Sequence, residues 1–383
     1  MSKTICRPAA GLAALLFLAA GPVIGADAPG KFLGANSCAS TGCHGGGGQN
    51  QNQFLVWSLK DFHSYRPPAT LATARSKQIA DALSIKDATA DTRCTTCHAP
   101  LHSVPENLRG DNFKVSEGVS CESCHGPAEN WLRSHTRKDY SRADRTASGM
   151  RDLQNLYVRA NTCVACHQNV AADILKAGHP ELIFELDGQS VAEPKHWIEK
   201  TNWNGALAWL VGQAVALREM SWQLAGEESP TQNEINRWAA LVWLVETAAP
   251  KHAGKSVAPT TASEAVARAL QILSEIDKDA RDGADELSKQ ELVYSTRAIL
   301  SSLANTSGDF GESSISQNLH ARRAERLVLA LDRLVAALPE FKNSEPVQSS
   351  LDQLFKLAQS VPDFDPKQFA DALKKFSAAV SPP

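Results

Sequence analysis

Three stretches of this 383-residue chain share one reactive pattern. They read Cys94-Thr-Thr-Cys97-His98, Cys121-Glu-Ser-Cys124-His125 and Cys163-Val-Ala-Cys166-His167. Two thiols three positions apart, followed at once by an imidazole, form the attachment signature of c-type haem. The thiols add to the two vinyl groups on one porphyrin edge, and the histidine lies beneath the ring to bind iron. With 9 Cys and 11 His in 383 residues, chance supplies only about 0.006 such motifs. A fourth pair, Cys38-Ala-Ser-Thr-Gly-Cys43-His44, has four intervening residues. Those extra residues can loop outward, with Gly42 supplying backbone freedom and Gly45–Gly48 allowing close approach to a flat cofactor. Structural zinc needs no histidine directly after each second cysteine. A thioredoxin-like pair would stand alone in a βαβ context. The expectation is four covalently attached haem c groups.

Each iron has one further axial position. Beyond Met1, methionine is confined to Met150 and Met220, so histidine has to supply most of the sixth ligands. His63 follows Trp57 and lies beside Asp61, a natural acceptor for its second ring nitrogen. His135 stands ten residues beyond His125, and His179 sits in Ala177-Gly178-His179-Pro180. These three are the leading candidates. His102 shares a helical face with His98 and so cannot reach over the same haem; it either ligates a neighbouring iron or lies near a propionate. His196 is a further candidate. His252 and His320, among helical patterns, suit capping or core roles.

The run Gly118-Val-Ser-Cys121-Glu-Ser-Cys124-His125-Gly126-Pro127, with Trp131 and His135, resembles the third haem segment of the tetrahaem cytochrome c-554 family. The Trp57–His63 and Ala177–Leu182 segments extend the resemblance over roughly residues 35–200. It implies stacked haem pairs, low potentials and periplasmic electron transfer. Carried over, it makes His63, His135 and His179 distal ligands and leaves the haem on Cys94, Cys97 and His98 five-coordinate.

The elements that must position these groups divide the chain by composition. Residues 1–28 have the layout of a cleaved secretory signal: Lys3 and Arg7, an apolar run from Ala9 to Ala20, then small residues at Gly25, Ala26 and Ala28. Residues 29–200 hold every remaining cysteine, about 43 residues per haem, so haems must pack on one another inside short helices and loops. Residues 201–383 lack cysteine and turn periodic. Leu207, Leu210, Val211, Ala214 and Leu217 form one stripe, and Ile235, Trp238, Ala239, Val242 and Val245 another. Thr261 and Glu264 spell a capping box before Val266, Leu270, Leu273 and Ile276. Ala324, Leu327, Val328, Leu331, Leu334, Val335 and Leu338 run up to Pro339. The fold class expected is mainly α: a multihaem cytochrome c domain followed by an α-helical bundle domain.

A net charge of −3 gives no basic footprint for nucleic acid, and no segment after the signal is apolar enough to span a bilayer. The reading is a periplasmic electron carrier, non-catalytic itself, meeting redox proteins as donor and acceptor through transient contacts. The alternative is a multihaem oxidoreductase acting on a small nitrogen or sulfur compound at the five-coordinate second haem. A third possibility is that the C-terminal bundle docks the haem half onto a larger complex.

Overall fold

The computed structural model describes residues 30–48, 51–199, 204–249, 261–273, 276, 296–360 and 363–381. The signal-like segment, Trp203 and His252 lie outside these residues. The molecule is mainly helical, and the described residues contain no strand beyond the isolated bridge between Phe32 and Arg109. None of its helices is long and apolar enough to cross a membrane among the described residues.

Helices of the second half are long and start where the sequence places caps. Asn204 caps Gly205–Gly226 through the Leu207 N–H at 3.1 Å. Thr231 and Glu234 form a capping box on Gln232–Ala248, Ser316 caps Gln317–Ala336, and Asp365 with Pro366 opens Pro366–Val380. Thr261 and Glu264 also bond reciprocally, each at 3.2 Å. The helix that follows turns a different face inward than its large residues suggest. Ala265, Ala269, Ile272 and Ile276 are buried while Leu270 is 56% exposed. Alanine allows the closer approach to the neighbouring helix, to which Arg268 is tied by an ion pair with Glu246 at 3.2 Å.

One apolar core runs through the bundle, and it continues into the cysteine-bearing half through Leu156, Ala160, Val164, Phe184 and Leu186. Gly205–Gly226 is its hub, buried over most of its circumference, which is why its sequence is apolar nearly all round. A Cβ on Gly212 would stand 2.6 Å from the Leu186 side chain, so only glycine admits this packing. Trp209 and Trp238 are enclosed here, in keeping with packing roles for these indoles. His320 is buried and its Nε2 bonds the Glu312 carbonyl at 3.2 Å, while Nδ1 is buried without a partner; its place is the core its apolar neighbours suggested.

Polar contacts fix the same junction. Arg333 reaches Asp187 at 2.7 Å, Arg322 reaches Glu181 at 2.8 Å, and Asn169 donates to the Glu219 carbonyl at 3.0 Å. The helix Leu156–His167, which carries the last C-x-x-C-H, is tied to the hub by Arg218, which donates to the Tyr157 hydroxyl at 3.2 Å and to Asn161 Oδ1 at 2.6 Å. The other three motifs sit on short helices and turns, with a small separate cluster of Leu71, Ala80, Ile85 and Ala88 packed around Cys94.

Candidate functional site

Each C-x-x-C-H motif ends a helical turn: Thr92–His98, Cys121–His125 and Leu156–His167. A helical C-x-x-C-H puts the two thiols about one turn apart with the imidazole alongside. The longer first motif solves the same problem with a loop. The Cys43 N–H donates to the Ser40 carbonyl at 2.9 Å and the His44 N–H to Cys38 at 3.2 Å. The surplus residues thus turn outward, and His44 returns beside Cys38. Gly45 and Gly46 are required by this turn, since Cβ atoms there would meet the Ala39 and Thr41 carbonyls at 1.9 and 2.5 Å.

The four motif histidines line one cavity of about 2150 Å³, together with His63, His135, His179, His196 and Met150. Seven cysteines line it as well: Cys38, Cys94, Cys97, Cys121, Cys124, Cys163 and Cys166. Cys43 is exposed and does not line it, and His102, on the short helix Pro100–Ser103, is not brought into it either. A pocket for one drug-sized ligand spans roughly 300–1,000 Å³, so this space suits several large cofactors. Cys38 adjoins Cys121, and Cys97 adjoins Cys166, which brings the first motif against the third and the second against the fourth.

Three histidine pairs face each other across this space. The ring centroids of His44 and His135 are 6.1 Å apart, those of His63 and His167 5.9 Å, and those of His98 and His179 6.4 Å. Two imidazoles on opposite sides of one metal, each bonded at ~2.0–2.1 Å, put their centroids roughly 6 Å apart. His125 has no such facing imidazole among the described residues, and its Nδ1 is buried without a hydrogen-bond partner. The donor set and the size of the cavity therefore fit haem groups held between histidines.

The remaining ring nitrogens are oriented by the chain. His44 Nδ1 meets Gln53 Oε1 at 2.9 Å, His98 Nδ1 the Pro67 carbonyl at 3.0 Å, His135 Nδ1 the Leu132 carbonyl at 2.7 Å, and His179 Nδ1 the Pro180 carbonyl at 2.8 Å. Burial pushes the basicity of His98, His167 and His196 down, and that of His125 down to about 4. A neutral imidazole is the form a metal binds. His63 is the exception: Asp61 first, then Glu193, raise it to about 10.

Two positioning devices were not apparent from the motifs. Pro67 and Pro68 lie inside the helix Phe62–Thr70 and lack N–H groups, which leaves the carbonyls of His63 and Ser64 without their helical donors. The Val119 N–H takes up the His63 carbonyl at 2.9 Å. A Cβ on Gly118 would be 2.5 Å from both freed oxygens. Trp57 adds a bond from Nε1 to the Val119 carbonyl at 3.0 Å. The second device is Glu122, fully buried between the cysteines of the third motif. It accepts from the N–H groups of Leu33 at 2.8 Å, Gly34 at 2.7 Å and Ala128 at 2.7 Å, clamping the approach to the first motif against the third. A carboxylate inside C-x-x-C was the available signal; its partners Leu33 and Gly34, 89 and 88 residues upstream, were not.

Residues 37–126 match the family model described as cytochrome c554 and c-prime. Over 167 residues the chain is 31% identical to cytochrome c-554 of Nitrosomonas europaea, a match covering 41% of this chain and 65% of that protein. The chain thus spans a little under two thirds of that relative's length. No solved structure matches it.

Proposed function

We propose that this protein, whose cysteine-bearing half is similar to the cytochrome c-554 family, is an exported tetrahaem cytochrome c that carries electrons between redox partners. The observation that supports this most directly is the set of three facing histidine pairs at 5.9–6.4 Å in one cysteine-lined cavity. Bound haem c supplies reversible one-electron iron chemistry.

The chain's part is to hold, orient and enclose. Cys38 and His44 with His135 would hold the first haem, with Cys43 as its second thiol although it lies outside the cavity. Cys94, Cys97 and His98 with His179 would hold the second, and Cys163, Cys166 and His167 with His63 the fourth. Cys121, Cys124 and His125 would hold the third, for which no facing imidazole is found among the described residues. In this reading the open position lies at the third haem, whereas the family resemblance had left the second open. The neighbouring thiols of motifs one and three, and of two and four, favour two close haem pairs, short paths for single electrons. The second half, 201–383, acts as a scaffold domain that fixes the fourth motif and offers a docking face. Neutral carbonyl and amide oxygens orient the rings of His44, His98, His135 and His179 without any general acid or base.

The test is intact mass of the purified periplasmic protein together with its absorption spectrum before and after carbon monoxide. Four haems, three of them low-spin and one reacting with carbon monoxide when ferrous, are expected. Fewer than four haems would remove the tetrahaem reading. Four unreactive low-spin haems would remove the open third position and, with it, the alternative of an oxidoreductase acting on a small nitrogen or sulfur compound there.

A further inference from the structure

One imidazole of the six facing ones is held differently from the rest. His63 Nδ1 lies 3.1 Å from Asp61 Oδ1 and 3.2 Å from Glu193 Oε2. The acceptors at His44, His98, His135 and His179 are all neutral oxygens. His167 meets the side-chain amide of Gln189 at 3.3 Å. The Gln189 Oε1 is buried and unpartnered, so an amide flip gives His167 a neutral acceptor too.

The carboxylates are well placed to act on His63. Asp61 is 2% exposed and caps the helix Phe62–Thr70 through the His63 N–H at 2.8 Å. Glu193 comes from a distant part of the chain, immediately after the helix Leu186–Ala192. Among the described residues no arginine or lysine forms an ion pair with either one. His196 completes the group, its ligand atom and theirs lying within 4.8 Å of one another.

We infer that Asp61 and Glu193 are positioning residues that make the haem between His63 and His167 the most reducing of the four. The inference rests on the haem assignment proposed above. A hydrogen bond from a metal-bound imidazole to a carboxylate makes the ligand more basic. A more basic ligand, with net negative charge close by, favours ferric over ferrous iron. A neutral acceptor does much less of either, so the other haems lie higher.

The experiment is a spectroelectrochemical titration of the full, haem-loaded protein and of Asp61→Asn, Glu193→Gln and Gln53→Glu. Asparagine keeps the helix cap, and glutamine keeps the size of Glu193. The lowest midpoint is expected to rise in the first two variants by about tenfold in its reduction equilibrium, or 59 mV for one electron. The haem that moves should be the one whose low-spin signal disappears in His63→Ala. Gln53→Glu gives His44 a carboxylate partner and should lower a different midpoint. Asp81→Asn, on an exposed helix face, is the control for simple loss of charge. Unmoved midpoints in a protein that still carries its low-spin haems would overturn the inference and leave the electron-carrier reading standing. So would a uniform shift of all haems matching the control. Loss of bis-histidine spectra from the parent protein would instead overturn the haem assignment itself.

Discussion

Glu185 offers a quantitative check on how the two halves are joined. It stands at the N-terminus of the helix Leu186–Ala192 and accepts from Gln213 Nε2 of the hub helix at 3.0 Å. Burial, followed by the nearby charge of Asp187, pushes its carboxyl up to about 8. The folded protein therefore binds a proton that the unfolded chain releases near pH 4.5. Stability is greatest below that value and falls as the pH rises from 4.5 to 8. At 1.36 kcal/mol per pH unit, the penalty accumulated by pH 7 is about 3 kcal/mol. Glu185→Gln keeps an acceptor for Gln213 and removes the titration. The stability difference between variant and parent should then grow by about 3 kcal/mol from pH 4 to pH 7, in favour of the variant. Urea denaturation of the haem-loaded proteins, followed by circular dichroism at several pH values, measures it. A difference that stays constant across that range would refute the reasoning and mean that Glu185 is ionised within the fold.

Three further outcomes follow from the site. Replacing His179 by alanine should convert the haem on His98 into a second carbon monoxide-reactive one, while His102→Ala leaves the ligation state unchanged; optical spectra with the gas distinguish them. Gly118→Ala puts a Cβ against the carbonyls freed by Pro67 and Pro68. A cost of about 1–3 kcal/mol in chemical denaturation, together with a disturbed low-spin signal for the His63 haem, is expected. Gly212→Val should cost a similar ~1–3 kcal/mol by driving the hub helix off Leu186, with haem content by mass unchanged.

Local chemistry was legible in the residues themselves. The C-x-x-C-H spacing, the shortage of methionine and the apolar stripes of Ile235–Val245 and Ala324–Val335 follow from rules acting within one or two helical turns, and so did the mainly α class. The stretched first motif was legible as a loop for the same reason, although the duty of Gly45 and Gly46 toward their own turn was not. Pairing was decided only in three dimensions. His98 and His179 are 81 positions apart, and His63 and His167 are 104 apart; no periodicity links them, so the leading candidates could be named but not matched to their haems. The helix after Thr261 was predicted with its cap, but only Ile276 of its expected stripe is buried; Ala265, Ala269 and Ile272 supply the rest of the inward face and Leu270 is exposed. Glu122 and the Pro67–Pro68 pair act through backbone groups far away in sequence, whose freedom to bond depends on where the chain returns. The sequence by itself thus determined which atoms can bind cofactor, since that is a property of residue type and local spacing. Asp61 beside His63 was legible too, but which imidazoles meet, and that Glu193 joins Asp61 at His63, depended on long-range packing, and only the tertiary structure decides that.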